Sequence, residues 1–156
     1  MDINSHGSYP AGALSNFAPH PFEIGGIKCN SMEGFLQSLK FSNPEMQRKV
    51  CQLVGIKAKR KGSKKKWWKK QILYWQGIEY ERESNAYTQL INRAYDRLAT
   101  NKKFCKALLS TQNATLTHSL GKRKKSETVL TKTEFIGNLT RVRNQLQKNH
   151  EDVEKW

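Results

Sequence analysis

Apolar positions recur along most of this chain at helical rather than strand spacing. Tyr87, Leu90, Ile91, Ala94, Tyr95 and Leu98 fall on one face of a long helix predicted over about residues 81–99. Phe135, Leu139, Val142 and Leu146 form the same kind of stripe, opened by the capping box Thr131-Lys132-Thr133-Glu134. A shorter stretch predicts a helix over 102–109. Ser31 reads as the N-cap of a helix running to about Ser42, and Asn43-Pro44 as the start of another that ends near Gly55. Gly62-Ser63 is expected to split the following basic stretch into two short helical pieces. The first 30 residues differ. Gly7, Pro10, Gly12, Pro19 and Pro21 punctuate them, and Phe22-Glu23-Ile24 and Ile27-Lys28-Cys29 flank a Gly25-Gly26 hairpin turn. Residues 114–118 and 127–130 alternate apolar and polar, which predicts two further short strands. Residues 151–156 read as a frayed tail. The expected fold class is mainly α with a small β component (α+β), in one compact domain over residues 1–150.

Composition narrows the function. The 156 residues include 28 Lys and Arg against 13 Asp and Glu, a net charge of +15, so anionic partners are favoured: nucleic acid, nucleotides or a membrane surface. At 37% apolar the core is lean, yet 6 Phe, 5 Tyr and 4 Trp are too many for a disordered chain. No apolar run is long enough to span a bilayer, and no amphipathic helix pairs the positive charge with an apolar face, so no membrane partner is expected. Met1 to His6 carry neither the basic stretch nor the apolar core of a secretory leader. Cys29, Cys51 and Cys105 are odd in number and form no C-x-x-C pair. They read as reduced thiols in a cytoplasmic protein, and nothing in the spacing calls for a metal or cofactor.

On a helix from Ser31, the side chains of Glu33, Gln37 and Lys40 fall at i, i+4 and i+7, one above another. Phe35, Leu36 and Leu39 turn to faces that pack. The stripe is either an ordinary polar face or the wall of a polar pocket. Glu33 sits in the first turn, where the helix N-terminus favours the ionised form. A positioned carboxylate suits a water-activating base or the stabiliser of a cationic transition state.

Leu14-Ser15-Asn16-Phe17-Ala18, then Pro21-Phe22, Gly26, and Ser31-Met32-Glu33-Gly34-Phe35-Leu36-Gln37-Ser38-Leu39-Lys40-Phe41 resemble the signature of the YbiA-like family, also called NADAR. The likeness is close over residues 14–41 and looser from there to about Arg143. It implies a mainly helical N-glycosidase. Some members cleave phosphorylated riboflavin-pathway intermediates, and some remove ADP-ribose from modified guanine. Glu33 is then the catalytic carboxylate beside the anomeric carbon. Asn16, Phe17 and Gln37 line the substrate pocket, Lys40 meets phosphate, and Trp75 stacks on the base. Asn138-Leu139 through Arg143 resemble the family's closing motif. One segment departs. The family places an acidic-aromatic-Trp-Gly run with a working Asp before the last helix, whereas this chain has Leu116-Thr117-His118-Ser119-Leu120-Gly121. His118 or Glu134 replaces the missing group, or the activity is altered.

Such a reaction passes through an oxocarbenium-like sugar, so it needs a carboxylate, a water and support for the leaving base. Lys28 and the loop Lys122 to Lys125 are further phosphate candidates. Residues 57–70 hold nine basic side chains around Trp67-Trp68. Within them Lys64, Lys65, Lys66, Trp67 and Lys69 are candidate nucleic-acid contacts, since lysines neutralise phosphates and tryptophan stacks on unpaired bases. Three readings therefore stand. The chain is an N-glycosidase acting on an ADP-ribosyl or nucleotide-like substrate, a non-catalytic binder of such nucleotides, or a basic nucleic-acid-binding protein.

Overall fold

A computed structural model describes the backbone of residues 1–154 and the side chains of residues 1–150. Seven helices and two hairpins follow one another along them. A one-turn helix α1 (Ala11–Leu14) leads to the hairpin β1 (Phe22–Ile24) and β2 (Ile27–Cys29). Then come α2 (Met32–Ser38), α3 (Pro44–Cys51) and α4 (Gly55–Ser63), a 3-10 turn at Trp67–Lys69, and a second hairpin β3 (Ile72–Trp75) and β4 (Ile78–Glu81). The helices α5 (Asn85–Leu98), α6 (Lys102–Ser110) and α7 (Lys132–Glu154) complete the order, with a 3-10 turn at Lys125–Glu127 before α7.

The predicted caps hold. Ser31 Oγ accepts the Gly34 N–H at 3.0 Å, and Asn43 Oδ1 accepts those of Glu45 and Met46. At α7 the Glu134 N–H donates to Thr131 Oγ1 while the Thr131 N–H donates to Glu134 Oε1, the reciprocal pair of a capping box. The first hairpin pairs Phe22 with Cys29 and Ile24 with Ile27, and Gly25 and Gly26 take φ of 58° and 81° in its turn.

The second hairpin departs from the predicted pattern. It pairs Ile72 with Glu81 and Trp75 with Ile78 across Gln76-Gly77. Its first strand is a continuous apolar run, which hides the strand period, and its turn places the non-glycine Gln76 at φ 49°. The long helix accordingly begins at Asn85, capped by Ser84, and not at 81. Conversely, residues 114–118 and 127–130 form no strand pair. Thr117 makes one isolated parallel bridge to Asp2, and past the 3-10 turn that ends at Glu127 residues 128–130 are irregular. Leu116 and Val129 still point inward, so their alternation marks buried loop anchors. The end of the chain differs too. α7 continues to Glu154 where fraying was expected from 151, and residues 155 and 156 lie outside the described residues.

One apolar cluster joins these parts. Phe35 of α2 packs edge-on against Phe22 and Trp75 at centroid distances of 6.3 and 5.0 Å. Tyr87, Leu90, Ile91 and Tyr95 of α5 meet Phe135, Leu139 and Val142 of α7 within the same core. Burying each such side chain contributes about 1.5–3 kcal/mol. Gln47 holds the second hairpin to α2. Its Nε2 donates to the carbonyls of Ser38 and Tyr74, and the Tyr74 N–H donates to the Leu39 carbonyl. Gln76 Nε2 then ties the second turn to the first through the Gly25 carbonyl at 2.7 Å.

Candidate active site around Glu33

The start of α2 is fixed at three points. The Asn30 N–H donates to the Cys51 carbonyl, Ser31 Oγ donates to the Leu53 carbonyl, and the Glu33 N–H donates to the Asn16 carbonyl at 2.9 Å. The last bond places the Ser15-Asn16-Phe17 segment directly over the first turn of α2. That segment is itself turned by Ser15, whose Oγ accepts the Phe17 N–H.

Glu33, Gln37 and Lys40 form a polar stripe as their spacing implies. Gln37 Nε2 donates to Glu33 Oε1 at 2.8 Å. Glu33 and Lys40 are half-buried and Gln37 is buried. α2 ends at Ser38, short of the expected Ser42, so Lys40 lies in the turn just beyond it. Lys40 and Lys59 on α4 both lie close enough to Glu33 to act on its charge, and Lys122 acts on Lys40. Two cations from different parts of the chain thus act on one carboxylate, with a third beside Lys40. α4 comes this close because Gly62 abuts the Gln37 amide: a Cβ on Gly62 would sit 1.8 Å from Gln37 Oε1.

The electrostatics correct the helix-terminus expectation for Glu33. Burial lifts its carboxyl above the ordinary range, and the Gln37 bond, Lys40 and Lys59 do not fully offset it. A helix N-terminus contributes about 0.3–1 kcal/mol, whereas desolvating a carboxylate can cost several times that. Burial also pushes the Lys40 ammonium down, against the opposing pull of Glu33. A carboxyl poised in this way can take up and give back a proton nearer neutrality than a free glutamate.

Tyr95 belongs to this site, although its spacing marks it only as a core position of α5. It is fully buried, and its hydroxyl donates to Asn16 Oδ1 at 2.7 Å. The one signal in the sequence is a hydroxyl among otherwise mostly aliphatic neighbours. Lys59 is likewise submerged in a uniformly basic run.

Other expected site residues lie elsewhere or are already engaged. Trp75 is 4% exposed and packed against Phe35, so it serves as a core side chain and not as an open stacking platform. Glu134 is bonded to Arg82 at 2.6 and 3.3 Å, in addition to its capping box. His118 Nδ1 bonds the Ile3 carbonyl at 2.7 Å and its ring packs edge-on against Phe135 at 5.0 Å, which anchors the chain start to α7. Phe17 is half-buried and lies near Gly55, and Lys28 stands exposed on β2. The segment that departs from the family pattern carries a carboxylate after all, donated by the chain start. Asp2 accepts from the Ser119 hydroxyl and N–H and from Thr117, and those bonds hold its exposed carboxyl below the usual range.

Three surface depressions of about 350, 250 and 220 Å3 have other linings. The first lies beside Phe41, Met46 and Lys65, the second beside Ile27, Arg48 and Trp75, and the third beside Asn92, Glu134 and Arg141. Glu33 borders none of these three. Among the described residues no three His, Cys, Asp or Glu side chains gather as they would around a metal ion. No helix there is long and apolar enough to cross a membrane.

In the basic block the adjacent tryptophans part company. Trp67 is 8% exposed and enters the core, whereas Trp68 is 52% exposed. Trp67 is therefore no surface contact, and of the pair it is Trp68 that lies at the surface. Lys64, Lys65, Lys66 and Lys69 are exposed around it, with Lys69 Nζ 5.9 Å from the Trp68 ring centre and Lys65 Nζ over Phe41.

The model of the family described as bacteriophage protein GP30.3 matches residues 8–144. The chain belongs to that family. A relative from Enterobacteria phage T4, an uncharacterized 17.1 kDa protein in the Gp30-rIII intergenic region, is 38% identical over 149 residues, covering 94% of this chain and 98% of the relative. Among solved structures, the NMR structure of the E. coli protein YbiA aligns with a TM-score of 0.59 at 16% identity, over 96% of this chain and 89% of that one. The fold of this phage-family protein is YbiA-like, a mainly helical α+β domain.

Proposed function

We propose that the chain is an N-glycoside hydrolase that cleaves a ribosyl C–N bond in a substrate carrying a diphosphate. The preferred substrate is an ADP-ribosyl group on a guanine base or on DNA, or a nucleotide derived from NAD, ahead of a riboflavin-pathway intermediate. One observation carries this reading: a half-buried carboxylate, bonded to Gln37, lies close to Lys40 and Lys59, and Lys122 lies close to Lys40. Across this cluster, one formal negative charge against the two lysines beside it and the third beside Lys40 leaves an excess that the two charges of a bridging diphosphate would balance. In the reaction a water oxygen bonds to the anomeric carbon as the C–N electron pair leaves with the base. Glu33 takes the water proton and returns it to the departing nitrogen.

The test compares wild type with Glu33→Gln on ADP-ribosylated DNA, NAD and riboflavin-pathway intermediates, reading free base and free sugar phosphate. Loss of general acid–base help is expected to slow turnover about 10²–10⁴-fold. Equal turnover by the two proteins would remove Glu33 from the chemistry. Tight ADP-ribose binding with every substrate left intact would establish the non-catalytic binder instead.

A second reading rests on Trp68, a half-exposed indole with Lys69 over its ring and exposed lysines on both sides of it in sequence, which suits a strand of unpaired nucleic acid. It expects binding to unmodified single strands that weakens steeply with added salt and survives Glu33→Gln. Salt-independent affinity would count against it.

A further inference from the structure

Asn16 contributes two different groups to the site. Its carbonyl holds the Glu33 N–H, and its side chain accepts the Tyr95 hydroxyl at 2.7 Å. Tyr95 has 0% exposure and Asn16 is half-buried. A buried phenol needs an acceptor, and of the two amide atoms only Oδ1 can accept. Burial, with Glu33 and Glu134 nearby, keeps the phenol protonated well above its usual range, so it remains a donor. The bond therefore fixes which way round the Asn16 amide stands. Nδ2, with two N–H donors, is left for the accessible side, next to the residue whose carboxylate is to act on the sugar.

We propose that Tyr95 is a positioning residue: by holding Asn16 Oδ1 it aims the Asn16 Nδ2 donors at a hydroxyl of the substrate ribose beside Glu33. The inference rests on the glycosidase reading for its substrate and adds to it a neutral donor next to an acceptor carboxylate, the combination that a sugar hydroxyl satisfies by accepting from one and donating to the other. Hydrogen bonds to the sugar hydroxyls strengthen as the ring flattens toward the oxocarbenium ion. Orientation of this amide should therefore act on kcat more than on KM.

Three variants test it. Tyr95→Phe keeps the ring and its packing on Phe135 and frees the amide to rotate. It is expected to lower kcat about tenfold with KM within about twofold, the scale of one neutral hydrogen bond. Asn16→Asp keeps the acceptor for Tyr95 but deletes the donors, and is expected to cost about a hundredfold. Adding Tyr95→Phe to Asn16→Asp should cost nothing further, because Tyr95 acts only through those donors. A structural role would instead add its loss in the double variant. Additive losses, or wild-type kcat in Asn16→Asp, would overturn the inference. NMR of the Asn16 side-chain amide, read with ADP-ribose as the added ligand, separates the two readings. A shift that ADP-ribose induces in wild type and that Tyr95→Phe abolishes, with no bond cleaved in any substrate, supports the positioning and sinks the hydrolase. Turnover with an amide signal indifferent to both ADP-ribose and Tyr95→Phe does the reverse.

Discussion

Glu33 and Glu134 each sit in the first turn of a helix, behind a hydroxyl cap, Ser31 for α2 and Thr131 for α7. Local sequence gives them the same electrostatic start, and their surroundings send them in opposite directions. Glu134 also loses solvation on burial. That loss is outweighed by two bonds to Arg82 and by the Thr131 hydrogen bonds, so its carboxyl lies below the usual range. Glu33 meets one neutral amide at bonding distance and lysines only at longer range, and burial wins. A guanidinium fork in contact can compensate desolvation, while a diffuse set of ammonium groups does so incompletely. Glu134 is a fixed structural charge. Glu33 has no ionic partner at bonding distance, only Lys40 and Lys59 further off.

The largest effect expected from this contrast is on stability. Arg82 has 1% side-chain exposure, and it also donates to the Thr128 carbonyl and lies over the Tyr87 ring. Glu134→Gln removes its counter-charge where water cannot replace it, at a cost of about 3–5 kcal/mol. Glu33→Gln, by comparison, is expected to leave stability at neutral pH equal or higher. Denaturant unfolding of the two variants checks this, and equal losses would erase the distinction.

Next in size is the packing that separates the two sites. Gly62→Ala drives a methyl group into the buried Gln37 amide, and overpacking of this kind costs about 1–3 kcal/mol. Displacing Gln37 also strips Glu33 of the amide that donates to its carboxylate, while leaving the Glu134 pair untouched. Activity should thus fall further than the stability loss alone accounts for, as assays well below the melting temperature would reveal.

Much of this arrangement was legible in the chain. Caps at Ser31, Asn43 and Thr131 and the Gly25-Gly26 turn depend on near neighbours, and the structure keeps all of them. The stripe Glu33–Gln37 follows from helical period alone and is realised as a hydrogen bond. What could not be read depends on pairs distant in sequence. Arg82 and Glu134 are 52 residues apart, so nothing local marks Glu134 as occupied. Tyr95 reaches Asn16 across 79 residues, and His118 reaches Ile3 across 115. Trp67 and Trp68 are identical in type and adjacent, and only the 3-10 turn decides which one is buried. The hairpin at 72–81 escaped because both faces of Ile72-Leu73-Tyr74-Trp75 are apolar, so the run has no alternation to read.

The smallest expected effect is also the one in which the two glutamates differ in sign. Glu33 has a raised carboxyl pKa in the folded chain, so its contribution to stability is fully present below the unfolded value of 4.5 and is lost as pH rises through the folded value. Glu134 has a lowered one, so its contribution is present above 4.5 and is lost as pH falls through the folded value. A tenfold change in proton affinity on folding is worth about 1.4 kcal/mol, and solvent access at the half-buried Glu33 keeps its share below the effects of the two substitutions above. In a pH series of unfolding curves, Glu33→Gln should match wild type in acid and gain on it as pH rises past 4.5. Glu134→Gln should trail wild type at neutral pH, and the gap should narrow as pH falls below 4.5. Both gaps moving the same way with pH would mean that Glu33, like its counterpart on α7, is held as a paired structural charge, and the site would lose the poised carboxyl on which the proposed hydrolysis rests.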